Sequence, residues 1–184
     1  MPSTRESTLR NTASTFCHAL ISPPPPSDLL SKYFTPDSPK ITEHGPSWAT
    51  ARLPFLGRTF TGTDDCLSYF SLLSDVLEMQ LPSDAFPAAD EGFVVDATSD
   101  MVSVAGKGRF VSKATGKGWD EQFIYRFSGF DDSGKIGHWE IWADPLSAWV
   151  AVGGKGEEGE GGQATKPKDG VRDAGVLEGG GYAS

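Results

Sequence analysis

Between Met101 and Asp144 the chain alternates side chains in three successive stretches separated by short turns, and this pattern restricts the fold most. In "MVSVAGKGRFVSKA" (101–114), Val102, Val104, Gly106, Gly108 and Phe110 share one face, opposite Ser103, Ala105, Lys107 and Arg109. In "WDEQFIYRFSGF" (119–130), Trp119, Glu121, Phe123, Tyr125 and Phe127 share a face. In "IGHWEIWAD" (136–144), Trp139, Ile141 and Ala143 alternate with His138, Glu140, Trp142 and Asp144. "TGKG" and "DDSGK" supply the turns, and "FVVDATSD" (93–100) precedes the set as a further short strand. A sheet with one apolar face needs a cover.

The cover lies upstream. Leu9, Ala13, Phe16 and Leu20 recur at helical spacing across Thr8–Ile21, and "SPPPPS" (22–27) stops that helix because proline lacks an amide donor. "SDLLSKYF" (27–34) reads as a second short helix with Ser27 at its N-cap, and "SPKITEHG" as a first strand. "GTDDCLSYFSLLSDVLEMQL" (62–81) is the strongest helical signal. Thr63 stands at its cap, Asp64 and Asp65 lie near its positive end, and Leu67, Phe70, Leu73 and Leu77 form one face with Cys66 and Tyr69 on its flank. Pro82 ends it. Helix, helix, strand, long helix and then antiparallel strands is an α+β order. Gly106 and Gly108 would ease sharp curvature, giving a half-open, cone-shaped sheet with a cavity beneath the helices.

At 184 residues the chain suits one domain. We assign residues 1–152 to it and 153–184 to a disordered tail, since 11 of those 32 residues are Gly and few large apolar side chains remain. A net charge of −9 argues against nucleic acid and anionic membranes as partners. No apolar run reaches membrane-spanning length and the N-terminus lacks a secretory pattern, so a cytoplasmic location is expected. Cys17 and Cys66 read as two buried free thiols, with a single disulfide as the alternative. The three histidines, at 18, 44 and 138, show no metal-ligand spacing, and "GKG" at 106–108 sits within a strand instead of before a helix.

Alternation also sorts the polar candidates. Glu121, flanked by aromatic residues at i−2 and i+2, is either a carboxyl whose pKa burial raises or a strand-end Glu paired with Lys or Arg or bonded to a helix terminus. Tyr125, deeper on the same face, is either a hydrogen-bond donor to a developing oxyanion or core filling. His138 and Glu140 fall on the opposite, convex face together with Trp142, a large ring that calls for cover such as a dimer contact. In "KITEHGPSWATARLPFLG" (40–57), Glu43 and His44 must diverge on a regular strand. Sharing a face with Ile41 turns Glu43 inward, whereas a bend at "GP" would change the register.

"EHGP" (43–46), "LPFLGRTFTGTDDCLSYFSLL" (53–73) and "GKIGHWEIWADP" (134–145), in this order and spacing, resemble the SnoaL-like group of the nuclear-transport-factor-two-like (NTF2-like) superfamily. The resemblance spans roughly residues 5–150 and implies a cone-shaped fold with a deep apolar pocket, often dimerising through the sheet. It implies acid/base chemistry without a cofactor, as in polyketide cyclases, ketosteroid isomerase, scytalone dehydratase and limonene epoxide hydrolase. In ketosteroid isomerase an apolar site keeps one carboxylic acid protonated at neutral pH. One departure stands out: many relatives carry a carboxylate on the last strand where this chain has Ile141.

On this basis the expected activity is cyclisation, isomerisation or dehydration of a small, apolar, carbonyl-bearing secondary metabolite. The expected base is His44, favoured by the resemblance and by its readily tuned imidazole, with Glu121 as its partner or the acid and Tyr125 as hydrogen-bond donor. Trp48, Phe55, Trp119, Phe123 and Trp139 are expected to form an aromatic wall, and no metal or cofactor is expected. A homodimer through the convex face is expected as well. The alternative is a non-catalytic ligand-binding or dimeric module, which the missing last-strand carboxylate favours.

Overall fold

The computed structural model describes residues 4–153, so all of the expected tail except Gly153 lies outside the described residues. Helices α1 (Thr4–Ala19) and α2 (Pro26–Tyr33) are followed by strand β1 (Lys40–Glu43), a 3-10 turn (Ser47–Ala51) and strand β2 (Thr59–Thr61). Helix α3 (Thr63–Val76) leads directly into β3 (Leu77–Gln80). Strands β4 (Val94–Asp96), β5 (Met101–Ser112), β6 (Gly118–Ser128) and β7 (His138–Trp142) follow, and α4 (Pro145–Val152) closes the described chain.

The strands form one curled seven-stranded sheet in the order β2-β1-β7-β6-β5-β3, with β4 also paired to β5. All pairs are antiparallel except β1–β7, which is parallel. The expected α+β cone is therefore observed, with a mixed sheet in place of a purely antiparallel one.

Three local expectations are corrected. The long helix stops at Val76, and residues 77–80 become an edge strand on β5 (Leu77↔Ser112 through Gln80↔Arg109), since the apolar period does not register a switch from helix to strand. Pro26 is the first residue of α2, so Ser27 lies inside the helix and no side chain caps it. Thr63 is likewise inside α3, where Gly62 with φ of 86° holds the cap position. Strand β2 and the 3-10 turn lie in a segment whose pattern is too short to read.

Phe16 of α1 is the hub of the core. Fully buried, it meets the edges or faces of Tyr33, Phe34, Phe127 and Trp139 at centroid distances of 5.6, 5.4, 5.7 and 5.0 Å, joining both N-terminal helices to β6 and β7. Arg5 fixes the start of α1: its Nε donates to Asp100 at 2.8 Å and its Nη1 to the Asp131 carbonyl at 2.9 Å. Gly106 is required by packing on the concave face, where a Cβ would stand 2.3 Å from the Phe123 ring. Cys17 and Cys66 are both buried and free.

Phe16→Ala is expected to destabilise the protein by about 3–5 kcal/mol, because four rings lose a shared partner and close only partly over the cavity. Urea denaturation followed by circular dichroism checks this.

Candidate active site

Between the concave face of the sheet and helices α2, α3 and α4 lies a cavity of about 660 Å³. Its exposed lining residues, Pro23–Pro26, Ser71 and Ser74, mark a mouth between the α1–α2 connection and α3. The inward alternation of β6 delivers Trp119, Glu121, Phe123 and Tyr125 to this cavity, and that of β7 delivers Trp139, Ile141 and Ala143. Phe70 and Leu73 of α3 open onto it and are only partly buried, whereas Cys66 and Tyr69 are the buried residues of that helix. The face of α3 chosen by periodicity thus looks onto a cavity, and the flank holds the helix to the core.

Glu43, not His44, is the β1 residue that enters the cavity. The parallel register sets Ile41 against Trp139 and Glu43 against Ile141, so both share the concave side with the apolar face of β7. The strand stays regular as far as Glu43. The chain then returns through "LPFLG", where Gly57, with φ of 72°, donates its amide to the Glu43 carbonyl at 2.8 Å. Leu56 bridges to Glu43 at this return. The missing β7 carboxylate has a counterpart one strand away: Ile141 is flanked by Glu43 on β1 and Tyr125 on β6.

Glu43 is held by a single side-chain hydrogen bond, from the Tyr69 hydroxyl to Oε2 at 2.8 Å. Its Oε1 has no hydrogen-bond partner among the described residues and is not sealed from the cavity. Burial raises the Glu43 pKa to about 7 from an ordinary 4.5, with Tyr69 opposing the shift and the charge of Glu121 adding to it. Glu121 Oε2 accepts from Trp119 Nε1 at 2.7 Å and from the Asp144 amide at 3.3 Å. Burial raises its pKa too, against those two bonds. Burial keeps the Tyr69 and Tyr125 hydroxyls protonated well past their ordinary range. The Tyr125 hydroxyl has no hydrogen-bond partner among the described residues, and the buried Trp139 Nε1 is also without an acceptor.

The cavity can therefore accept a proton at Glu43 near neutral pH and donate a hydrogen bond from Tyr125. Of the residues expected there, Glu121, Tyr125, Phe55, Trp119, Phe123 and Trp139 line it, while His44 and Trp48 do not. Trp48 is 44% exposed and packs edge-on against Trp149 at 5.0 Å.

His44 lies on the convex face, stacked 4.1 Å from Trp142 with an interplanar angle of 6°. Its Nε2 donates to Glu140 Oε1 at 3.0 Å, while Arg126 Nε donates to Glu140 Oε2 at 2.7 Å. Burial would raise the Glu140 pKa, but the bonds from Arg126 and His44 hold it below the ordinary range. Burial lowers the pKa of the neighbouring His138, whose Nε2 lies 2.8 Å from Thr42 Oγ1. His44 is thus tied to a charged cluster on the far side of the sheet. Glu43 had a readable signal in its Ile41 partner, and Tyr69 had one in its i+3 spacing from Cys66.

No group of three or more His, Cys, Asp or Glu among the described residues is placed to hold a metal, and no described helix is long and apolar enough to cross a membrane.

The fold is shared with solved structures at low sequence identity. An NTF2-like protein from Burkholderia xenovorans LB400 superposes with a TM-score of 0.61 at 16% identity, covering 80% of this chain and 98% of that one. A protein from Jannaschia sp. CCS1, provisionally named a SnoaL-like polyketide cyclase, gives 0.60 at 15% identity over 83% and 96% of the two chains. TerC, solved with polyporic acid, gives 0.61 at 16% identity over 79% and 98%. No family model and no curated protein matches the sequence. The chain has the NTF2-like fold, as its motifs led us to expect.

Because the folded state raises the Glu43 pKa, the native protein binds this proton more tightly than the unfolded chain does, and the associated stability declines as pH rises from about 4.5 through about 7. Relative to Glu43→Gln, the wild-type protein is expected to lose up to about 3 kcal/mol across that window. Urea unfolding of both proteins at pH 4.5, 6 and 8 checks the slope.

Proposed function

We propose that the cavity is an active site for cofactor-independent proton transfer on a small, apolar, carbonyl-bearing ring compound, leading to isomerisation, cyclisation or dehydration. The observation that carries this reading is Glu43: a buried carboxyl poised near pH 7, with one oxygen held by Tyr69 and the other open to the cavity. Glu43 takes the part expected of His44 and acts as base. Tyr125 supplies a protonated hydroxyl to the substrate oxygen as charge develops there. Glu121, its Oε2 held by Trp119 and the Asp144 amide, donates its own proton as acid, and exchange with solvent through the mouth returns Glu43 and Glu121 to their starting states. The aromatic enclosure of Phe55, Phe123 and Trp139 excludes water and strengthens these contacts. The fold shared with a provisionally named polyketide cyclase supports the chemistry at the level of fold alone.

Hydrogen–deuterium exchange at the carbon beside a ligand carbonyl, followed by NMR in D2O, tests the base. The wild-type protein is expected to accelerate exchange, more strongly as pH rises through about 7. Glu43→Gln is expected to lower the rate by about 10²–10⁴-fold with the fold retained. Exchange at the wild-type rate in Glu43→Gln would overturn the assignment and favour a non-catalytic binding module.

We further propose that the convex face pairs two copies of the chain. Ile124 and Trp142, 45% and 38% exposed, present apolar surface around the His44 stack on that face. Sedimentation velocity is expected to show a dimer that Ile124→Lys converts to monomer; a wild-type monomer at 100 μM (about the upper working range) would contradict this.

A further inference from the structure

The ionisable groups that line the cavity are all acids. Glu43, Glu121 and Asp144 bring carboxyls, Tyr69 and Tyr125 bring phenols, and no Lys, Arg or His among the described residues lines it. The nearest strands spend their cationic side chains elsewhere: Arg126 is bound to Glu140 on the convex face, and Arg109 pairs with Asp120.

The helix N-termini at the cavity do not supply the missing positive charge. Helix α4 begins at the cavity wall, but Asp144 Oδ1 already accepts from the Leu146 and Ser147 amides at 3.0 and 3.1 Å. Helix α2 starts at the mouth with Pro25 and Pro26, which have no N–H, and the amides of Asp28 and Leu29 both donate to the Pro25 carbonyl. The positive end of α4 is therefore closed to a ligand, and that of α2 leaves one amide, at Ser27, which does not line the cavity. A bound carboxylate or phosphate would meet the carboxyls of Glu43, Glu121 and Asp144 and no cation, with only the neutral Tyr125 hydroxyl and Trp139 Nε1 as side-chain donors without a partner, in a space where like-charge repulsion is weakly screened. A ligand ammonium would instead meet the open Oε1 of Glu43 in a cavity that Tyr69, Tyr125 and Trp139 also line, aromatic rings of the kind that attract cations.

We propose that the cavity selects its ligand by charge, admitting ring compounds that are uncharged or carry a protonated amine and excluding carboxylates and phosphates, with Glu43 and Glu121 as the selecting residues. This rests on the reading that the cavity is the ligand site, and it adds the charge class of the substrate. Glu43 thereby serves both as proton acceptor and as part of the filter.

The test is a matched bicyclic series, 1-naphthylmethylamine, 1-naphthylmethanol and 1-naphthoate, titrated into the full chain at pH 8 by isothermal calorimetry. The amine is expected to bind most tightly and the carboxylate at least about tenfold more weakly than the alcohol. In Glu43→Gln/Glu121→Gln the carboxylate is expected to come within about threefold of the alcohol. Glu121→Gln alone, at a less buried carboxyl, is expected to narrow the gap in the same direction, so the assignment stays testable where the double variant does not fold.

Wild-type binding of 1-naphthoate as tight as that of the alcohol would overturn the proposal, as would the absence of binding by both amine and alcohol. Persistent exclusion of the carboxylate in the folded double variant would overturn the role of the two glutamates. These outcomes are separable from the catalytic reading. Unchanged deuterium exchange in Glu43→Gln removes the base and leaves charge selection standing, whereas wild-type binding of the carboxylate does the reverse.

Discussion

A carboxyl group stands in an aromatic cavity with one phenol as its side-chain hydrogen-bond donor, and the surrounding structure is arranged around the cost of placing it there. Removing a carboxylate from water without a cation is unfavourable, so the group shifts toward its protonated form and becomes a proton acceptor usable near neutral pH. Tyr69 moderates that shift and fixes one oxygen. Tyr69 itself is fully buried among Phe55, Phe60, Phe70 and Trp139, so the orientation of Glu43 depends on the packing of α3 against the sheet. A change in the core that loosens α3 would reach the carboxyl through this one bond.

The parallel pairing of β1 with β7 decides which side of the sheet each polar residue serves. It turns Glu43 to the concave side and His44 to the convex side, where His44 joins Arg126 on Glu140. The sheet thus carries two polar assemblies back to back. The concave one has no basic group among the described residues and raises the pKa of its two glutamates, Glu43 and Glu121; the convex one supplies an arginine and a histidine and lowers that of Glu140. One residue type is tuned in opposite directions through the thickness of a single sheet, and the difference is the presence or absence of a cationic donor.

Much of this is legible from period-two alternation. The inward faces of β5 and β6 can be read residue by residue, and with them Glu121, Phe123 and Tyr125, because long strands repeat their pattern often enough to fix its phase; five-residue β7 is read from the apolar run of Trp139, Ile141 and Ala143. Four-residue β1 repeats it too briefly. Its Ile41–Glu43 alternation points inward correctly, whereas the family likeness favours His44 against that local signal. Tyr69 falls on the flank of its helix because helical periodicity identifies an apolar face without saying whether that face meets a core or a cavity. The switch at Val76 from α3 to β3 and the three-residue strand β2 have no local signature, since both depend on partners distant in sequence.

The protonation of Glu43 underlies both the proposed chemistry and the proposed charge selection, and 13C NMR titration of its side-chain carboxyl carbon, assigned by difference from Glu43→Gln, measures it. The predicted result is a midpoint near 7, displaced upward because the carboxyl is buried without a cation. A midpoint near the ordinary value of 4.5 would show that Glu43 is solvated or paired, and would contradict both its role as base and the charge character assigned to the cavity.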